Sequence, residues 1–136
     1  MKTIEMVREF HALFCPDQTQ KRPCLPDAKT MQLRIQLIQD ELDELKEAMF
    51  EEHDLVRVAD ELSDLQYVLD GTYLALGLGE LKERLSGETH RSNMTKLGPD
   101  GKPMRREDGK VLKGPEFQPA DHGFIIRSYL ALMPKE

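Results

Sequence analysis

The chain has 136 residues, enough for one domain with its own core. Its 19 basic and 25 acidic side chains leave a formal charge of −6, with 39% hydrophobic and 32% charged residues. That balance excludes a disordered chain. The longest uncharged run, the nine residues Gly71–Gly79, is too short to span a membrane as a helix.

Charges at Lys2, Glu5, Arg8 and Glu9 interrupt any signal-peptide core, so a soluble, cytoplasmic protein without membrane partners is expected. Cys15 and Cys24 lie outside any CxxC or HxxxH pattern and are read as reduced, structural thiols.

The spacing predicts a first helix over 3–14, with Ile4, Val7, Phe10 and Leu13 or Phe14 turned inward. Cys15–Pro26 holds three prolines and reads as a loop. Asp27 suits the N-cap of a second helix, about 28–50, with the stripe Met31, Ile35, Ile38, Leu42, Leu45 and Met49. Asp54 suits the cap of a third, about 55–76, with Leu55, Val58, Leu62, Leu65, Leu69, Tyr73 and Leu76 inward. Gly77-Leu78-Gly79 stops it.

A fourth helix is expected over about 80–97 and a short last one over 124–133. Between them Gly, Pro and charges dominate. Asp108-Gly109 suits a type I′ turn that pairs Met104–Glu107 with Lys110–Lys113. The expected architecture is all-α: a helical bundle of four to five helices with a short C-terminal β-ribbon or loop. It forms one domain over 1–136, with 98–123 as a ribbon or a flexible lid. No internal repeat is visible. Three or four helices with acids on one seam make a thin bundle, and a homodimer would cover the remaining apolar faces.

Charge is unevenly placed. Residues 40–64 hold eleven acids against the bases Lys46 and Arg57, whereas residues 89–113 hold seven bases against three acids. An acidic middle repels phosphate unless cations sit on it, which argues against a nucleic-acid partner.

At ~100° per residue, Glu41 lies beside the apolar stripe of the second helix, with Glu44 one turn on and Asp40 next to Glu44. Glu61 and Asp64 take the matching places on the third helix. Each helix thus carries an acid pair at i, i+3 that borders the seam. Two carboxylates at ~4 Å repel by about 4 kcal/mol at an effective dielectric near ~20, so protons or a cation must intervene. An all-oxygen set suits Mg²⁺, or Mn²⁺.

A solvated face laced with ion pairs is the plainer alternative, but bases are scarce. Of the four acids, only Glu61 has a base, Arg57, at helical ion-pair spacing. A di-iron bundle needs Glu-x-x-His. His11, His53, His90 and His122 are preceded at that spacing by Arg8, Phe50, Gly87 and Pro119, so that reading falls.

The segments Ile38–Leu45 (IQDELDEL) and Ala59–Leu65 (ADELSDL) resemble the EExxE…ExxD signature of the all-α nucleoside triphosphate pyrophosphohydrolases. That superfamily includes MazG-like proteins, dimeric dUTPases and phosphoribosyl-ATP pyrophosphohydrolase. His90–Leu97 (HRSNMTKL) and Asp108–Pro115 (DGKVLKGP) are similar to the small MazG-like members, and the resemblance extends over about residues 4–117. The first acid of the signature is Asp40 here, one methylene shorter.

The resemblance implies cleavage between the α and β phosphates of a nucleoside triphosphate, giving a monophosphate and pyrophosphate. It implies Mg²⁺ held by Glu41, Glu44, Glu61 and Asp64, with Asp40 or Glu44 orienting the attacking water. Arg91, Asn93, Lys96 and Lys110 are the candidates for phosphate contacts, and a homodimer is expected. A pyrimidine deoxynucleotide such as dUTP is the first substrate to consider. Phosphoribosyl-ATP hydrolysis and a non-enzymatic helical dimerisation module are the alternatives.

Overall fold

The computed structural model describes residues 1–135. Among them are five α-helices: α1 (Thr3–Phe14), α2 (Ala28–Glu47), α3 (Leu55–Ala75), α4 (Lys82–Asn93) and α5 (His122–Leu132). The all-α class is therefore as expected. The chain divides into two units, Met1–Glu80 and Leu81–Glu136. No described helix is long and apolar enough to cross a membrane. Cys15 and Cys24 are free thiols.

In the first unit the caps form where the sequence places them. The Asp27 carboxylate accepts from Thr30 N at 2.8 Å. Asp54 accepts from Val56 N at 2.9 Å. Each satisfies an orphan donor of the first turn. α2 runs into a wide turn of π-helical form, Ala48–Glu52, before His53 reverses the chain in the left-handed region at φ 51°. Arg34 meets Val68 and Thr72, and Glu41 groups with Glu61 and Asp64. Sequence number rises along α2 while it falls along α3, so the two helices are antiparallel.

α3 is packed on two sides. One side faces α2. The other takes α1, where Ile4, Val7 and Leu74 form the buried apolar cluster, with Tyr73 against it. The loop after α1 lies along the end of α3, where Gln20 N donates to Leu74 O and Cys24 N to Leu76 O. Gly77, at φ +71°, ends the helix where any Cβ would overlap the carbonyl of Arg22.

The buried faces differ from the apolar stripes. On α1 the buried residues are Ile4, Val7 and His11, while Phe10, Leu13 and Phe14 are exposed. On α2 they are Arg34 and Leu45, followed by Ala48, while Met31, Ile35 and Met49 are exposed. On α3 they are Glu61, Asp70, Gly71, Leu74 and Ala75, whereas Leu55 and Leu62 lie open. The seam is thus rotated toward polar groups. His11 and Arg34 can be buried because they hydrogen-bond there.

In the second unit α4 ends at Asn93, earlier than the spacing suggests, and Lys96 lies beyond it. Two tight hairpins follow. Leu97 bridges Pro103, and Arg105 bridges Val111. Each turn closes with a glycine at positive φ, Gly101 at +75° and Gly109 at +88°. Gly101 N bonds Gly98 O, and Gly109 N bonds Arg106 O.

Asp108 has negative φ, so the second turn is a three-residue type I loop closed by a glycine bulge rather than type I′. Pro99-Asp100-Gly101 and Glu107-Asp108-Gly109 are therefore two turns of the same build. Segment 118–122 is strapped to α4. Ser92 Oγ donates to Gln118 O at 2.7 Å. Asp121 N donates to Glu88 Oε1 at 3.0 Å. Thr89 Oγ1 and His122 Nε2 stand 2.9 Å apart.

Candidate metal centre

Three carboxylates converge in the α2–α3 seam. One oxygen from each of Glu41, Glu61 and Asp64 lies within 4.8 Å of the other two. Glu61 is 3% exposed, Glu41 is half-buried and Asp64 is open to solvent. Helix geometry explains the grouping. Glu61 and Asp64 are one turn apart on α3, and Glu41 shares the α2 face of Arg34, seven residues earlier.

The electrostatics are unfavourable for three bare anions. Burial pushes the Glu41 carboxyl above the usual range, and Asp64 and Glu61 push it further. Burial likewise raises Glu61, assisted by Glu44 and opposed by Arg57. Glu41 Oε2 and Glu61 Oε2 are buried with no hydrogen-bond partner among the described residues. Buried acceptors of this kind need a donor or a cation. An oxygen-only donor set that is part buried and part open to solvent fits a hard divalent cation, which keeps water in its remaining positions.

The other expected acids stand at the rim. Glu44 is exposed, yet its carboxylate interacts with those of Glu41 and Glu61. Asp40 is exposed and accepts from Gln36 Nε2 at 2.7 Å. It lies outside the three-carboxylate group and touches it only through the field it exerts on Glu41.

Arg57 has a larger part than its spacing alone suggests. Its Nη2 donates to Glu61 Oε1 at 2.6 Å, Nε to Glu52 Oε2 at 3.3 Å and Nη1 to Asp60 Oδ2 at 3.4 Å.

One level further along the seam is Arg34, which hydrophobic periodicity passes over. It is 5% exposed and bonds the Thr72 hydroxyl at 3.2 Å, the Gln18 amide oxygen at 3.0 Å and the Val68 carbonyl at 2.9 Å. Buried His11 lies beside it, its Nδ1 3.0 Å from Gln18 O and 3.1 Å from Thr19 Oγ1. The seven-residue interval from Arg34 to Glu41 is the signal that places both on one face.

The candidate phosphate contacts belong to the second unit. Arg91 is engaged: its Nη2 meets Glu88 Oε1 at 2.7 Å and its Nη1 meets Gln118 Oε1 at 2.9 Å. Asn93 closes α4 and is exposed, Lys96 is half-buried, and Lys110 is exposed beside the second hairpin turn.

Residues 7–93 match the family model described as phosphoribosyl-ATP pyrophosphohydrolase. The chain belongs to that family. The match runs from within α1 to the end of α4 and contains all three clustered carboxylates, and it places the chain in the MazG-like all-α superfamily of nucleotide pyrophosphohydrolases. The protein is thus a member of a family of hydrolases that act on phosphoric anhydrides. No individual curated protein matches the chain.

Proposed function

We propose that this protein is a Mg²⁺-dependent pyrophosphohydrolase that cleaves a nucleoside triphosphate between the α and β phosphates, releasing the monophosphate and pyrophosphate. The observation that carries this reading is Glu61. A nearly buried carboxylate with an unpartnered oxygen, grouped with Glu41 and Asp64, is poorly accommodated without a cation.

Glu41, Glu61 and Asp64, with Glu44 at the rim, are the proposed holders of Mg²⁺ or Mn²⁺. When bound, the cation neutralises triphosphate charge and favours the ionised form of an attacking water. Glu44 and Asp40 are the proposed acids that orient this water as it approaches the phosphorus. Displacement at phosphorus needs mainly position and charge compensation, which a fixed carboxylate set provides.

In the second unit Arg91, Asn93, Lys96 and Lys110 are proposed to bind phosphate oxygens, the cations through charge-assisted hydrogen bonds. We take dUTP, or another pyrimidine deoxynucleotide, as the preferred substrate, on the resemblance of the 90–97 and 108–115 segments to small MazG-like proteins. Removal of unwanted nucleotides from the cytoplasmic pool is the corresponding role. Exposed Met31, Ile35, Met49 and Leu62 support a homodimer, and one domain over 1–136 is part of the same reading. Segment 98–123 is proposed as the substrate lid.

The family description favours a second reading, phosphoribosyl-ATP as substrate. One experiment separates them. Pyrophosphate release is measured from a panel of standard and modified triphosphates plus phosphoribosyl-ATP, with Mg²⁺ and with EDTA, for wild type, Glu41→Gln and Glu61→Gln. Metal-dependent release lost in both variants supports the reaction, and the panel names the substrate. No release from any member would leave the helical dimerisation module.

A further inference from the structure

Arg57 stands in an unusual place for a cation, against a carboxylate proposed to hold a cation. Each of its three guanidinium nitrogens has its own carboxylate: Glu52 on Nε, Asp60 on Nη1 and Glu61 on Nη2. Glu52 comes from the turn that ends α2, and Asp60 and Glu61 from α3. A planar fork pinned at three points has little freedom to swing.

The consequence falls on Glu61. Its Oε1 is taken by Arg57 at 2.6 Å, while its Oε2 is buried with no partner among the described residues. The side chain is 3% exposed, against 44% for Arg57. Arg57 thus approaches Glu61 from the solvent side.

We infer that Arg57 is the positioning residue of the metal centre. By occupying Oε1 it orients Glu61 so that a single oxygen, Oε2, is offered as ligand. This rests on the reading of Glu41, Glu61 and Asp64 as a cation site.

Two opposing effects can be told apart. A positive charge near a cation site weakens cation binding by repulsion, so if charge dominated, removing Arg57 would tighten it. If orientation dominates, removing Arg57 frees Glu61 to turn and binding weakens. Partners that orient metal ligands are typically worth about 10–100-fold in metal affinity. Glu52 and Asp60 already compensate much of the Arg57 charge, so orientation is the larger effect.

The test uses Mn²⁺ alone as probe, on the full chain, read by electron paramagnetic resonance of free against bound ion. Wild type, Arg57→Gln, Arg57→Lys and Glu61→Gln are compared, with circular dichroism melts to confirm folding. Arg57→Gln is expected to weaken Mn²⁺ binding at least ~10-fold. Arg57→Lys, which keeps the charge and a single donor nitrogen but loses the fork, is expected to fall between it and wild type. Glu52→Ala removes one anchor of the fork, leaves the cluster intact and is expected to weaken binding a few-fold.

Equal or tighter binding in Arg57→Gln overturns the positioning role. If that variant does not fold, wild-type affinity in both Arg57→Lys and Glu52→Ala overturns it instead. Wild-type binding that Glu61→Gln leaves unchanged, or no binding at all, refutes the cation site itself, a separate failure.

Discussion

Arg34 occupies the space that a side chain at position 71 would need. A Cβ on Gly71 would overlap Arg34 Nη2 and come within 3.0 Å of His11 Nε2. The helix therefore accepts a glycine in its interior, which costs about 1 kcal/mol relative to alanine, so that a buried guanidinium can reach the Val68 carbonyl.

Gly71→Ala is accordingly expected to destabilise the protein by about 1–2 kcal/mol, because an overpacking cost of about 1–3 kcal/mol outweighs the better helix propensity. Urea unfolding checks it. An unchanged midpoint would mean that Arg34 moves aside freely and that its three hydrogen bonds contribute little.

Divalent cations are expected to raise the melting temperature of the wild type and to leave Glu41→Gln and Glu61→Gln almost unaffected. At about 100 times the dissociation constant the added stability is ~2.7 kcal/mol. A differential scanning series in Mg²⁺, Mn²⁺ and EDTA reads this directly. Equal shifts in all three proteins would remove the seam as the place of binding.

Glu88 contributes to the acid response of the second unit. The Arg91 guanidinium and the backbone N–H of Asp121 hold its carboxyl down, from the ordinary 4.5 to about 2. A depressed carboxylate stabilises the fold above its unfolded-state value. That contribution is lost as pH falls from about 4.5 to about 2. Glu88→Gln should remove this pH dependence. Hydrogen exchange across 82–93 and 118–132 at pH 5 and pH 3 measures it, and identical slopes in variant and wild type would refute the assignment.

His11 makes the matching prediction for mildly acid conditions. Burial lowers its pKa below 6.5, and Arg34 lowers it further. The unfolded chain then binds a proton that the folded chain refuses. Stability is complete above about 6.5 and declines as pH falls through that value. An NMR titration of the His11 ring should give a midpoint below 6.5. A midpoint above it would mean that a charged imidazole is tolerated beside Arg34.

Much of the architecture was legible in the amino-acid sequence for local reasons. Asp27 and Asp54 are N-caps, Gly77 is a helix stop, and 3–14 is a helix with the predicted bounds. Caps, glycines and periodicity act within a few residues, so they are readable without the fold. The acid pairs were legible too, because i, i+3 spacing brings Glu61 beside Asp64 whatever the helix packs against.

Which face became the seam was decided only in three dimensions. Hydrophobicity pointed to Met31, Ile35 and Met49 along with Leu45, yet α2 buries only Leu45 of these and turns Arg34 and Glu41 toward α3. Burying a polar group costs little once its partners are supplied, and Gln18, Val68 and Thr72 supply them to Arg34 from two other segments. The sequence by itself thus determined the helices, the caps at Asp27 and Asp54 and the acid pairs. Tertiary structure decided that Glu61 is buried and that Gly71 yields to Arg34. Those outcomes depend on contacts between segments far apart in the chain, which local periodicity does not encode.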